Sequence, residues 1–244
     1  MSGSPASAEV RQPGDREPRV TIGQRRIIHL DPTLAISALF DRPPEARALV
    51  VLAHGAGAGM DHPSLQSTAS GLAERGIATL RYQFPYMEHH RRRPDPPLVC
   101  HATVRAAVAE AALLAPDLPL IAGGRSFGAR MTSQAQAQAP LAGVRGLLFL
   151  GFPLHPAGRP GVERAANLRD VHIPMLFIQG TRDELAELDL LRPIIAGLGP
   201  RATLHPLEHA DHAFHVRARS RRQDSEVRRE WLDAASRWAE GVAP

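Results

Sequence analysis

No lysine occurs in this chain of 244 residues; all 29 of its Lys/Arg positions are arginine. The formal net charge of +4 therefore persists to high pH, because no lysine is present to lose its charge near pH 10. A phosphate-cradling loop of the kind that closes on a lysine is excluded as well. The absence fits the compositional bias of a GC-rich genome. Cysteine is nearly absent too: Cys100 stands alone, so no internal disulfide can form. No uninterrupted apolar run approaches the ~18 residues of a membrane helix. The opening stretch MSGSPASAEVRQPGDREP lacks the apolar segment of a signal peptide. These absences lead us to expect a reducing, cytoplasmic setting and no membrane partner. With 20 glycines and 22 prolines, the chain also falls short of a collagen-like or disordered composition.

The positive charge is local. Residues 215–229 hold six arginines against Asp224 and Glu226, and the remainder is close to neutral. A nucleic-acid surface usually interleaves aromatic rings with its basic residues, and RARSRRQ (217–223) contains none. No nucleic-acid partner is expected. The arginines at 217–222 read as a solvated face. Arg91, Arg92 and Arg93 lie in a long segment after an apparent strand; they are either solvated or line an entrance that favours anionic substrates.

The chain is 43% hydrophobic and long enough to bury one sizeable core. Residues 1–18, rich in Pro, Ser, Gly and charge, are expected to form a flexible tail. Residues 19–244 are expected to form a single α/β domain. Short β-rich runs at 48–54, 77–82, 118–124, 144–152, 174–180 and 201–206 alternate with helical patterns. Those patterns cover 63–76, 98–114, 127–138, 184–197 and 225–240. The last places Val227, Trp231 and Trp238 at core spacing. Such alternation predicts a mostly parallel, twisted sheet with helices on both faces. Ligands then bind beyond the carboxyl ends of the strands.

Three loops after strands carry chemistry. Gly124-Arg125-Ser126-Phe127-Gly128 is G-x-S-x-G between a strand and a helix. There, small neighbours permit a sharp turn that holds a serine out at a helix N-terminus. A serine hydroxyl needs a base, and the base an orienter. Asp183 follows the strand 174–180, and His212 follows the strand 201–206. Ser126, Asp183, His212 is a chain order in which a triad can assemble. Read singly, Ser126 is also a good helix cap, Asp183 a good turn residue and His212 a good surface histidine. The loop His54–Gly59 is glycine-rich, so its backbone N–H groups can approach a developing negative charge; Ala56 and Phe127 are the candidate oxyanion-hole donors. His209, His212 and His215 also form an H-x-x-H-x-x-H run, but it is not the helical H-E-x-x-H of a zinc peptidase. No metal is expected. His209 is the alternative base. Cys100 sits in a helical pattern and reads as a small core residue. Arg125 either positions a substrate acid or bridges to a neighbouring loop.

Over roughly residues 20–240 the sequence resembles the α/β-hydrolase superfamily. AHGAGAGMDHP, RYQFPYME, GGRSFGARM, GFPLHP, QGTRDEL and ADHAF together resemble one subgroup within it. That subgroup comprises hydrolases related to dienelactone hydrolase and to the hydrolase-like domain of an NSL chromatin-complex subunit and a testis-expressed protein. The resemblance implies an α/β-hydrolase fold with Ser126 as nucleophile, Asp183 as acid and His212 as base. The dienelactone enzymes proper use a cysteine where this chain has Ser126, which points away from dienelactone as substrate. Only about twenty residues separate Phe152 from Pro174, too few for a large helical cap domain. The expected activity is that of a serine esterase acting on a small-molecule carboxylic ester, or secondarily a thioester or amide, with no cofactor. The alternative is a non-catalytic interaction module on the same fold.

Overall fold

A computed structural model of the chain describes residues 21–242; the tail expected over residues 1–18 lies outside them. Among the described residues, eight strands form one sheet. β1 (Thr21–His29) and β2 (Ala35–Arg42) make an antiparallel hairpin. β3 (Ala48–Ala53), β4 (Ile77–Tyr82), β5 (Leu120–Arg125), β6 (Val144–Leu150), β7 (Met175–Gly180) and β8 (Ala202–Leu207) run parallel to one another. The order across the sheet is β1-β2-β4-β3-β5-β6-β7-β8, with β2 antiparallel to β4.

The helices are α1 (Pro63–Ala73), α2 (Pro85–Glu88), α3 (Pro97–Leu114), α4 (Phe127–Gln138), α5 (Leu188–Leu198) and α6 (Asp224–Val242). α3, α4 and α5 cover one face of the sheet, and α1 and α6 the other. With both faces covered, a central strand buries every side chain, which is why ALVVLA of β3 is an unbroken apolar run. Leu49, Val51 and Ala53 enter one core, and Ala48, Val50 and Leu52 the other. Proline opens α1 and α3, where its missing N–H costs nothing. α3 is long and apolar enough to cross a membrane by length and composition. In this fold it lies on the sheet, with Cys100, Val104, Ala107, Val108 and Ala111 in the core.

Two departures from the sequence reading have physical causes. α5 begins at Leu188 rather than 184, because Asp183 accepts the amide of Leu185 at 2.8 Å and turns the chain there. The β1–β2 hairpin lies outside the strands expected from sequence: β1 mixes exposed Ile22 and Ile27 with polar residues, and the turn is built by Asp31, whose Oδ1 accepts from the amides of Thr33 (2.7 Å) and Leu34 (2.9 Å). Between β6 and β7 the chain forms only a 3-10 segment, Glu163–Asp170. No helical cap is inserted there. The order of strands reverses between β3 and β5, which opens a crevice above their carboxyl ends.

Candidate active site

Ser126 stands between β5 and α4 at φ +51°, ψ −111°. That backbone region is costly for a residue with a side chain, and such residues cluster at functional sites. The turn is possible because its flanks are glycine. A Cβ on Gly124 would lie 2.7 Å from the Ala53 carbonyl oxygen, and one on Gly128 would lie 2.6 Å from that of His54. The close approach packs the β5–α4 turn against the end of β3. It also brings the His54–Gly59 loop to the serine: a Cβ on Gly55 would be 3.9 Å from Ser126 Cβ.

The three side chains from separate loops form one hydrogen-bonded chain. Ser126 Oγ lies 2.9 Å from His212 Nε2. His212 Nδ1 lies 2.7 Å from Asp183 Oδ2. The carboxylate only accepts, so Nδ1 carries the proton and Nε2 is left to accept from the serine hydroxyl. Asp183 is buried, while His212 keeps about a quarter of its side chain exposed (25%). His209 and His215 do not join the chain. His209 is exposed, and His215 pairs with Asp224 at 2.7 Å. Among the described residues no group of three or more His, Cys, Asp or Glu side chains is placed to hold a metal ion.

Ala56 and Phe127 lie on the two loops flanking the serine. Of the neighbouring amides, Gly57 N–H donates to the Tyr86 hydroxyl (3.2 Å), Ala58 N–H to the Gly55 carbonyl (3.2 Å) and Met60 N–H to Gln83 Oε1 (2.7 Å). The amides of Ala56 and Phe127 have no hydrogen-bond partner among the described residues. That of Phe127 also opens α4, where first-turn N–H groups are unpaired and favour negative charge.

Three supporting residues escaped the sequence reading. Gln179 is fully buried in β7 and reaches in two directions. Its Nε2 donates to Asp183 Oδ2 (2.5 Å), and its Oε1 accepts from Phe152 N–H (2.9 Å). The one available signal was a polar side chain inside the otherwise apolar run MLFIQ, since a buried amide requires partners. His54, also fully buried, donates from Nδ1 to the Gly55 carbonyl (2.8 Å) and accepts at Nε2 from Phe84 N–H (3.0 Å). Burial pushes its pKa down to about 4, against a smaller upward effect of the Gly55 contact, so the ring is neutral. Tyr86 is buried against Phe127 (6.2 Å between ring centroids) and donates its backbone N–H to Asp95.

Arg125 bridges to a neighbouring loop: its Nη2 donates to the His212 carbonyl at 2.8 Å, and its guanidinium lies 4.7 Å from the Phe214 ring centre. Arg91 pairs with the buried Asp95 at 2.6 Å and so anchors the segment it sits in, whereas Arg92 and Arg93 are exposed. Arg222 pairs with Glu230; Arg217, Arg219 and Arg221 are exposed. Cys100 is buried, and burial pushes its thiol up to about 12, so it is no nucleophile.

Compared with known proteins, a family model described as an alpha/beta hydrolase domain matches residues 46–240. Among solved structures, a dienelactone hydrolase from Anabaena variabilis superposes with a TM-score of 0.73 at 18% identity, over 94% of this chain and 100% of that one. A member of the α/β serine hydrolases without lid from Xanthomonas campestris gives 0.69 at 22% identity, over 89% and 95%. Est1E from Butyrivibrio proteoclasticus, solved with ferulic acid bound, gives 0.65 at 17% identity, over 85% and 98%. At these identities the likeness is one of fold.

Proposed function

The chain belongs to the alpha/beta hydrolase domain family, and from that footing we propose that it is a serine esterase cleaving a small carboxylic ester through an acyl-enzyme on Ser126. The observation that carries the reading is the unbroken chain Ser126 Oγ–His212 Nε2 (2.9 Å) and His212 Nδ1–Asp183 Oδ2 (2.7 Å). Ser126 Oγ attacks the ester carbonyl as His212 Nε2 takes its proton. Asp183 holds the tautomer and stabilises the imidazolium that forms. The N–H groups of Ala56 and Phe127 receive the oxyanion; losing one such donor typically costs on the order of 3 kcal/mol of transition-state stabilisation. The imidazolium then protonates the departing alcohol. Water, deprotonated by the same nitrogen, releases the acid and restores the serine. Thioesters and amides are secondary substrates of the same site. No helical cap is inserted between β6 and β7, and the ferulic acid bound to Est1E supports a small ester as ligand.

The test is covalent labelling with a fluorophosphonate probe, beside hydrolysis of a short-chain ester. Wild type should label, and Ser126→Ala should not. Turnover in Ser126→Ala should fall at least about a thousandfold, with circular dichroism unchanged. Equal labelling of both would remove Ser126 from the mechanism. No labelling or turnover in folded wild type would favour a non-catalytic interaction module on this fold.

A further inference from the structure

A second cavity, of about 160 Å³, lies behind the loop that carries His212; Ser64, Ser67, Arg125, His215, Arg228 and Trp231 contribute to its wall. Neither Ser126 nor His54 lines it. Its polar groups converge from the first turns of α1, the turn after β8 and the start of α6.

Two guanidiniums face this space, and among the described residues neither forms a salt bridge. A guanidinium has five N–H donors. Arg125 uses one of them on the His212 carbonyl. Arg228 donates from Nε to Ser67 Oγ (2.7 Å) and from Nη2 to the Ser67 carbonyl (2.7 Å), which leaves Nη1 without a protein acceptor. Because Ser67 Oγ accepts there, its own hydrogen is free to donate. The carboxylate in the wall, Asp224, is already engaged: Oδ2 by His215 Nδ1 (2.7 Å) and Oδ1 by Val216 N–H (2.8 Å). That contact raises the pKa of His215, chiefly through the hydrogen bond and the charge of Asp224. Burial lowers the pKa of Arg125, while the more distant charges of Asp183 and Asp211 act the other way. The first turn of α1 holds no acidic residue, and its side-chain cap is the ring of His62, which accepts the Ser64 amide at 3.2 Å, so no carboxylate offsets the positive end of that helix dipole. A partly buried cation with unused donors is best satisfied by a charge-assisted hydrogen bond to an anion.

We propose that this cavity is a binding site for a small free oxyanion of the phosphate class, gripped by Arg125 and Arg228 with the Ser67 hydroxyl. The site is separate from the ester crevice, yet it shares Arg125 with the backbone that carries His212. Its occupancy is therefore felt at the base of the hydrogen-bonded chain.

Trp231 lines the cavity, and Trp238 is the other of two tryptophans. In a Trp238→Phe background, inorganic phosphate is titrated at constant ionic strength held with chloride, and Trp231 emission is followed. The expected result is a saturable change, with apparent affinity about tenfold weaker in Arg228→Gln. A linear response that chloride reproduces, or equal saturation in Arg228→Gln, overturns the proposal. If Arg228→Gln proves poorly folded, Arg228→Lys keeps the charge and loses the fork; unchanged saturation there overturns it equally. No turnover enters the measurement, so its failure and that of the esterase reading are distinguishable.

Discussion

A primary amide buried near the end of a strand has to satisfy both of its ends, and Gln179 does so by joining two loops. It holds the carboxylate of Asp183 with its nitrogen and the backbone at Phe152 with its oxygen. Asp183 thus receives donors from Gln179, from the Leu185 amide and from His212, and its orientation is fixed on three sides. Gln179→Leu removes one donor from a buried carboxylate and strands the Phe152 N–H, a loss in the range of a charge-assisted hydrogen bond. On the esterase mechanism proposed above, ester hydrolysis in that variant should show kcat lowered about tenfold with KM little changed, since the contact holds Asp183 rather than the substrate. A raised KM at unchanged kcat would place Gln179 in substrate binding instead. The difference between what could and could not be read from sequence is clear at this scale. That Ser126, Asp183 and His212 would meet was legible because each follows a strand of the parallel sheet. Gln179 and His54 were not, because each has a partner that is a main-chain amide, 27 and 30 residues away, and no side chain in the sequence marks such a pairing.

Among the elements, the loops after β3 and β4 are fastened to one another through a neutral ring. His54, at the end of β3, accepts from the Phe84 amide beyond β4, and Tyr86 in α2 receives the Gly57 amide in return. The ordinary histidine value of 6.5 falls to about 4 for His54 in the folded protein. Between those values the unfolded chain binds a proton at this ring that the folded protein does not. Stability from this group is full above pH 6.5 and falls as pH drops toward 4, by about 3 kcal/mol at the foot of the window. Urea unfolding at pH 7 and at pH 4.5 should show that loss in wild type, and a smaller one in His54→Gln. An identical pH slope in both would mean the acid sensitivity lies elsewhere. Strands β3 to β7 were legible in the sequence because burial on both faces makes them predominantly apolar. The β1–β2 hairpin was not: β1 mixes Gln24, Arg25 and Arg26 with the exposed Ile22 and Ile27, and the turn rests on one aspartate.

At the scale of the molecule, that hairpin is attached to the parallel sheet through a buried ion pair. Asp41 of β2 meets Arg81 of β4 at 2.8 Å, with both residues below a tenth exposed, and Asp41 also accepts the Gly23 amide at 2.6 Å. Removing one partner of such a pair leaves a buried charge without its complement and typically costs about 3–5 kcal/mol, whereas replacing both is often near neutral. Arg81→Met should therefore lower unfolding free energy by that amount. The double variant Asp41→Leu/Arg81→Met should recover most of it in chemical denaturation. A double variant no better than the single would show that Asp41 matters through Gly23 instead.

Among the described residues the sheet is open, so it ends in two rims, β1 and β8, where backbone donors and acceptors have no neighbouring strand. On one rim, β1 is broken by an irregularity between Thr21 and Gln24, has Gly23 at φ +63°, and carries Arg25 and Arg26. On the other, β8 includes Pro206, which has no N–H to offer. Neither rim is the long, flat, uncharged ladder that captures a stray strand from another molecule. Crowded against partly unfolded copies of itself, the sheet formed by the described residues offers a poor template for fibre growth along either side.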